Sequence, residues 1–155
     1  MQKKCDLYLC ESVKTDRLKF LKVFDKEFLY VPDKAYVGYL GVNVDRIKLV
    51  SVVSDLRKHN IVAFSAPVEY RDGAKLPLEQ ALGLASEYAK SVGASAVESA
   101  MLKSKCPPVY WIFDLLYHST EQEKVGGVVM IDRIDGHVWT GSENEEYMYD
   151  FNNMM

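Results

Sequence analysis

The stretch that decides the fold is residues 77–93, PLEQALGLASEYAKSVG. Its apolar residues recur at helical spacing, at Leu78, Ala81, Leu82, Ala85, Ala89 and Val92. Pro77 suits the first position of a helix, and Gly93 suits the left-handed residue that commonly follows a helix end. The pattern predicts an amphipathic helix, and its alanines would allow it to lie close to a sheet.

The residues that follow predict one short helix and then strands. Ser95 and Glu98 have the spacing of a capping box, which predicts a helix to about Leu102. From Val109 onward, three segments rich in β-formers predict antiparallel strands: VYWIFDLLYH, GGVVMID and HVWT. Asp135-Gly136 lies between the last two and predicts a tight hairpin, because such turns need residues that tolerate a positive φ.

The residues before the helix also favour β-structure. Three segments predict strands, namely a hairpin over Arg17–Pro32, a strand over Ala35–Val42 and a strand over Ile61–Tyr70. Pro67 favours an edge or a bulge in the last of them, and Arg71-Asp72-Gly73 predicts a turn. Between them, Asn43 or Asp45 could cap a helix to about Arg57, although the β-branched content of that segment also suits a buried strand.

The chain as a whole predicts one α+β domain spanning residues 1–155. We expect an antiparallel sheet of about five to seven strands packed against two to four helices. The 19 Lys and Arg against 22 Asp and Glu give a formal charge of −3, which argues against a general nucleic-acid binder. The sequence has no signal-type apolar run and no apolar window of about 18 residues, so we expect a cytoplasmic protein that does not enter a membrane.

Residue types that support catalysis or metal binding are present but scattered. Three cysteines without a CxxC pair predict reduced thiols, and three histidines without metal spacing predict no metal site. Asp132 and Asp135 could form a cation site or a carboxylate pair, but turn-forming aspartates that bond their own backbone are the favoured interpretation. Asp114 and His118 share a strand face four residues apart, which leaves an enzyme open as an alternative.

The C-terminal segment SENEEYMYDFNNMM mixes acidic and aromatic residues. Ser142 and Glu145 have capping-box spacing, which predicts a helix. Carboxylates steer the approach of a basic protein, and rings supply buried contact area. The predicted partner-binding residues are Glu143, Glu145, Glu146, Tyr147, Tyr149 and Asp150.

A family resemblance extends from Leu76 to about Asp150. It consists of a helix, a strand with a central tryptophan (PPVYWIFDLL, with Trp111), a strand VVMID, an Asp-Gly turn, a short strand HVW and an acidic end. These features resemble bacterial immunity proteins of the YrhB-like, or Immunity protein 35, type. The resemblance implies a non-enzymatic antidote without a cofactor, which binds and neutralises a cognate toxin domain, often a nuclease.

Three other classes of protein fit the same sequence. A secretion or assembly chaperone would be dimeric with an apolar groove, and a small-ligand-binding domain would line a pocket with the many tyrosines. An enzyme would use Asp114, His118 or a cysteine.

Overall fold

A computed structural model describes residues 3–14, 16–18, 34–103, 105–118 and 123–154, without the side chains of residues 118 and 123–125. The chain forms two compact units. Unit 1 comprises Met1–Asp72 and Ser142–Met155, and unit 2 comprises Gly73–Gly141. Unit 2 is therefore inserted into the sequence of unit 1, and the expectation of one domain over residues 1–155 stays a prediction.

The described residues contain seven strands and four helices. In chain order they are β1 (Lys4–Lys14), β2 (Ala35–Tyr39), β3 (Val44–Asp45), α1 (Arg46–Lys58), β4 (Ala63–Pro67), α2 (Val68–Gly73), α3 (Leu78–Ser91), β5 (Ala94–Glu98), β6 (Tyr110–His118), β7 (Glu123–Asp132) and α4 (Gly141–Asn152). The α+β class is confirmed. The seven antiparallel strands are divided between a four-stranded and a three-stranded sheet.

In unit 1, the long strand β1 is the centre of the four-stranded sheet. It pairs with β4 through Cys5–Leu9, with β2 through Tyr8–Lys14 and with β3 through Lys4 and Cys5, all antiparallel. Cys5, Leu7 and Leu9 alternate along β1 and are fully buried against the apolar face of α1. Their alternation places the side chains between them on the opposite face of the sheet.

The α1 segment, for which a helix and a strand were both open, is a helix. Its buried residues recur at helical spacing at Leu49, Val52, Val53 and Leu56. Asp45 occupies the N-cap position without a side-chain hydrogen bond to the helix, and its carboxylate pairs with Lys4 at 2.7 Å. Tertiary packing of this stripe on β1 outweighs the β-branched content of the segment. The predicted hairpin over Arg17–Pro32 lies almost entirely outside the described residues.

The carboxylate of Asp6 lies on the face of β1 opposite α1 and is fully buried. Oδ1 accepts hydrogen bonds from the backbone N–H groups of Leu7 (2.8 Å), Gly41 (3.1 Å) and Val42 (3.0 Å). Oδ2 accepts from Gly41 and from Arg71, whose Nη1 lies 3.2 Å away. Burial raises the pKa of Asp6, and the hydrogen bonds from Val42 and Arg71 oppose that rise.

In unit 2, α3 packs on one face of the sheet ordered β5-β6-β7. Ala81, Ala85 and Ala89 are the fully buried residues of the helix, and they contact a cluster that includes Phe113, Leu115, Val129 and Ile131. The predicted helix is confirmed. Its contact face is the alanine row, and the leucines flank that row partly buried.

Two local predictions were wrong because long-range contacts outweigh local signals. Arg71-Asp72-Gly73 does not form an isolated turn but completes α2, where Arg71 is held by Asp6 and by the carbonyl of Val42 at 3.0 Å. The segment after Ser95 is not a helix but strand β5, paired along its length with β6. A 3₁₀ turn over Ala100–Lys103 follows, and Ser99 rather than Ser95 caps it, because the Ser99 hydroxyl accepts from the N–H of Met101.

No helix in the described part of the chain is both long enough and apolar enough to cross a membrane.

We expect Ala85→Leu to destabilise the protein by about 1–3 kcal/mol, because the added methylenes have no room between α3 and the sheet. Gly83→Ala in the same helix is the matched control. A Cβ at Gly83 meets nothing within 4 Å, and alanine in a helix is more stable than glycine by about 0.5–1 kcal/mol. Urea unfolding of both variants measures the two effects. Equal changes in both variants would contradict close packing of the alanine row.

Candidate functional site

Within unit 1, the acidic C-terminal helix α4 is held against strand β4 by polar contacts. The Tyr147 hydroxyl donates to the carbonyl of Ser65 at 2.7 Å, and the side-chain oxygen of Asn152 accepts from the N–H of Ser65 at 2.7 Å. Tyr147 is 5% exposed and Asn152 is 0% exposed. Both backbone groups of Ser65 are thus satisfied by α4, which covers the edge of β4 that does not pair with β1.

The C-terminal carbonyls of α4 are bound by two arginines of α1. Arg46 donates to the carbonyl of Asp150, and Arg57 donates to the carbonyls of Asn152 and Asn153. The helix itself contains four acidic residues and no Lys or Arg, so it has no cation of its own to offset the negative end of its dipole. The two arginines supply that charge and satisfy carbonyls that a helix end leaves unpaired.

These contacts determine which of the six predicted partner-binding residues reach solvent. Glu145, Glu146, Tyr149 and Asp150 are exposed, whereas Glu143 is partly buried and Tyr147 is buried. At about 100° per residue, the ring of Tyr149 falls between Glu145 on one side and Glu146 and Asp150 on the other. We call these four exposed residues the acidic face of α4.

We expect Tyr147→Phe to lower the free energy of unfolding by about 0.5–1.5 kcal/mol, because it removes the hydrogen bond to Ser65. Tyr149→Phe is the matched control, since Tyr149 is 60% exposed and its loss of a hydroxyl should change stability by less than about 0.5 kcal/mol. Chemical denaturation of the two variants measures both values. A smaller effect at Tyr147 than at Tyr149 would show that α4 is not held through Ser65.

A second group of ionisable residues lies in the turn after β7. Asp132 is 2% exposed. Its Oδ1 accepts from the N–H groups of Ile134 (2.8 Å) and Asp135 (3.2 Å), and its Oδ2 accepts from the indole of Trp139 at 2.9 Å. Gly136 has the expected positive φ of 77°. The predicted strand HVWT forms only a bridge between Val138 and Ile131.

Asp135 and His137 complete this group. The Asp135 carboxylate accepts from the N–H of His137 at 2.9 Å and contacts its ring Nδ1 at 2.6 Å. One ligand atom from each of Asp132, Asp135 and His137 lies within 4.8 Å of the others. Asp132 and Asp135 both bond the backbone of their own turn, which confirms the turn-forming interpretation. The expectation that the protein needs no metal stays a prediction.

The hydrogen bond from the backbone of His137 lowers the pKa of Asp135, with help from the His137 ring. A carboxyl with a lowered folded pKa contributes stability that is present above its unfolded pKa, about 3.9, and is lost as the pH falls through the folded value. We therefore expect the difference in thermal midpoint between the natural protein and Asp135→Asn to shrink from pH 5 to pH 2. A difference that stays constant over this range would contradict the assignment.

The remaining groups that could support catalysis are the three cysteines, Asp114 and His118. Burial raises the pKa of the Cys5 and Cys106 thiols, which keeps them protonated and weakly nucleophilic. None of the three cysteines is in a disulfide. Asp114 lies on the face of β6 opposite α3, and the side chain of His118 lies outside the described residues.

Two arginines, one within each unit, make contacts that the sequence did not predict. Arg71 joins Asp6, Asn43 and the carbonyl of Val42 in unit 1. Arg133 lies 3.7 Å over the ring of Trp111 in unit 2 and donates to the carbonyl of Tyr110 at 2.9 Å. The Arg71 contact could have been predicted from the single Asp in the apolar strand KCDLYLC, because a buried carboxylate needs a partner.

Neither a protein-family model, nor a characterised protein, nor a solved structure matches this chain. The resemblance to immunity proteins therefore stays a prediction from the residues of the second half.

Proposed function

We propose that the protein is a non-catalytic antidote of the immunity type, which binds a cognate toxin domain through the acidic face of α4. The observation that carries the proposal is the exposure of three carboxylates around one exposed ring, at Glu145, Glu146, Asp150 and Tyr149. No cofactor is required, because the protein acts by covering the toxin.

The acidic face is not explained by the stability of the helix. Glu146 and Asp150 are four residues apart, where like charges destabilise a helix by about 0.2–0.5 kcal/mol. Asp150 also lies in the last turn, where a negative charge is unfavourable to the helix dipole. Tyr149 gains little from burial at 60% exposure. A binding role accounts for all three features, since a basic partner would neutralise the charges and cover the ring.

The attachment of α4 suits a binding surface. Tyr147 and Asn152 hold the helix against β4, and Arg46 and Arg57 hold its C-terminal end. The exposed side chains are therefore presented from a fixed backbone. A fixed backbone reduces the conformational entropy that is lost on binding.

The charge of the face indicates the kind of toxin. An enzyme that acts on nucleic acid must attract phosphate, so its active site is commonly basic. Three carboxylates on one helix face are complementary to such a surface and would accelerate association. A nuclease domain is the toxin class that this chemistry fits best.

The test takes as its partner any toxin domain that a neighbouring gene encodes, and it measures association and dissociation rates by surface plasmon resonance. Charge reversal at three positions (Glu145→Lys, Glu146→Lys, Asp150→Lys) should slow association at least tenfold and remove its salt dependence. Tyr149→Ala should mainly accelerate dissociation, by about thirtyfold if the ring is an anchor of about 2 kcal/mol.

The matched control reverses three exposed carboxylates elsewhere, at Glu11, Glu69 and Glu98. It changes the net charge by the same amount, so it separates a local contact from a general charge effect. Equal slowing by both triple variants would contradict a binding site on α4. Failure of the natural protein to protect cells that express the toxin would contradict the antidote function itself.

A further inference from the structure

A row of three side chains crosses the face of the unit 2 sheet opposite α3. Val97 on β5 is paired with Asp114 on β6, and Asp114 is paired with Val128 on β7. Directly paired residues point to the same side of a sheet. The neighbours of Asp114 on β6, Phe113 and Leu115, face α3, so the row lies on the other face.

This part of the sheet face is open and mostly apolar. Val97 is 38% exposed and Val128 is 42% exposed. Leu116, two residues beyond Asp114 on the same face, is partly buried. Toward the other end of β6, Ile112 and its partner Met130 are 3% and 8% exposed. The face therefore changes from covered to accessible at Asp114.

Asp114 is the only charged residue of the row, and it is partly buried on the central strand. Within the part of the chain that the structure describes, its carboxylate has neither a hydrogen-bond donor nor a cation. The buried carboxylates Asp6 and Asp132 each accept several hydrogen bonds. A partly desolvated carboxylate between two valines costs free energy, and a cation placed against it would recover that cost.

We propose that Val97, Asp114 and Val128 form a docking site for a partner protein that presents an Arg or Lys side chain flanked by apolar groups. Adjacent strands are about 4.8 Å apart, so the valines lie about 10 Å apart with the carboxylate between them. The methylene stem of an arginine packs on the valines while its guanidinium pairs with Asp114. Nucleic acid does not fit, because the carboxylate repels phosphate, and a bilayer does not fit, because the charge would enter it unpaired.

The site is independent of the proposed function of α4, because it uses different residues and a different sheet. Loss of binding at one surface leaves the other intact. Variants at Asp114 and at the acidic face therefore report on the two proposals separately.

The first test measures the stability of the isolated full chain. Asp114→Val removes a carboxylate that the described residues leave unpaired and completes a row of three valines, so it should raise the thermal midpoint by about 2–4 °C. Glu98→Val is the matched control, since it makes the same kind of change at an exposed position of β5. If the thermal midpoint of Asp114→Val rises no more than that of Glu98→Val, the carboxylate of Asp114 does not destabilise the protein. This result would overturn the proposal.

The second test measures binding of n-butylguanidinium, which carries the charge and the stem of an arginine, by amide chemical shifts of the full chain. Saturable shifts are expected at Val97, Asp114 and Val128, with a dissociation constant on the order of 10 mM. Asp114→Asn should weaken binding at least threefold, and Glu98→Gln should leave it unchanged. n-Butanol at the same concentration should bind at least threefold more weakly. Equal binding of the alcohol, or shifts spread over other acidic residues, would overturn the site.

Discussion

The carboxylate of Asp6 lies near the start of β1, and two other segments of unit 1 are positioned by it. Its hydrogen bonds to Gly41 and Val42 fix the connection between β2 and β3, which run along the same edge of β1. Its ion pair with Arg71 fixes α2. A buried carboxylate without these donors would cost several kcal/mol, so the groups that satisfy it cannot move independently. The opposite face of β1 is apolar and carries α1, so one strand organises both sides of its sheet.

Unit 2 also contains a buried carboxylate that accepts several hydrogen bonds, at the end of β7. Asp132 is buried beside the end of β7, where it bonds the backbone of the following turn and the indole of Trp139. The next residue, Arg133, stacks on Trp111 and donates to the carbonyl of Tyr110. The Trp111 indole in turn donates to the carbonyl of Leu76, just before α3. A chain of directional contacts thus runs from the turn through β6 to the start of the helix that covers the sheet.

The sequence predicts a secondary-structure element correctly where its periodicity and its end signals agree. The prediction fails where contacts with a segment distant in sequence determine the local structure. The helix over residues 77–93 has periodicity, a favourable start and a favourable end, and α3 forms there. Ser95 has a capping signal, but pairing of its segment with β6 provides more contacts than a short helix could. In the candidate site, composition identified the acidic and aromatic character of α4. Helical spacing places Tyr147 on the same side of α4 as Met148 and Phe151, but no local pattern encodes its contact with Ser65 of β4.

The carboxylates of the protein differ in how far the fold itself uses them. Asp6 and Asp132 are buried and accept hydrogen bonds from several donors. Their carboxylates therefore stabilise the fold itself. The three carboxylates of the acidic face, and Asp114 between its two valines, receive no such support from the described residues. Natural sequences tolerate local costs of this kind chiefly where function requires them. The first group accounts for contacts that hold the fold, and the second group contributes none of these contacts among the described residues.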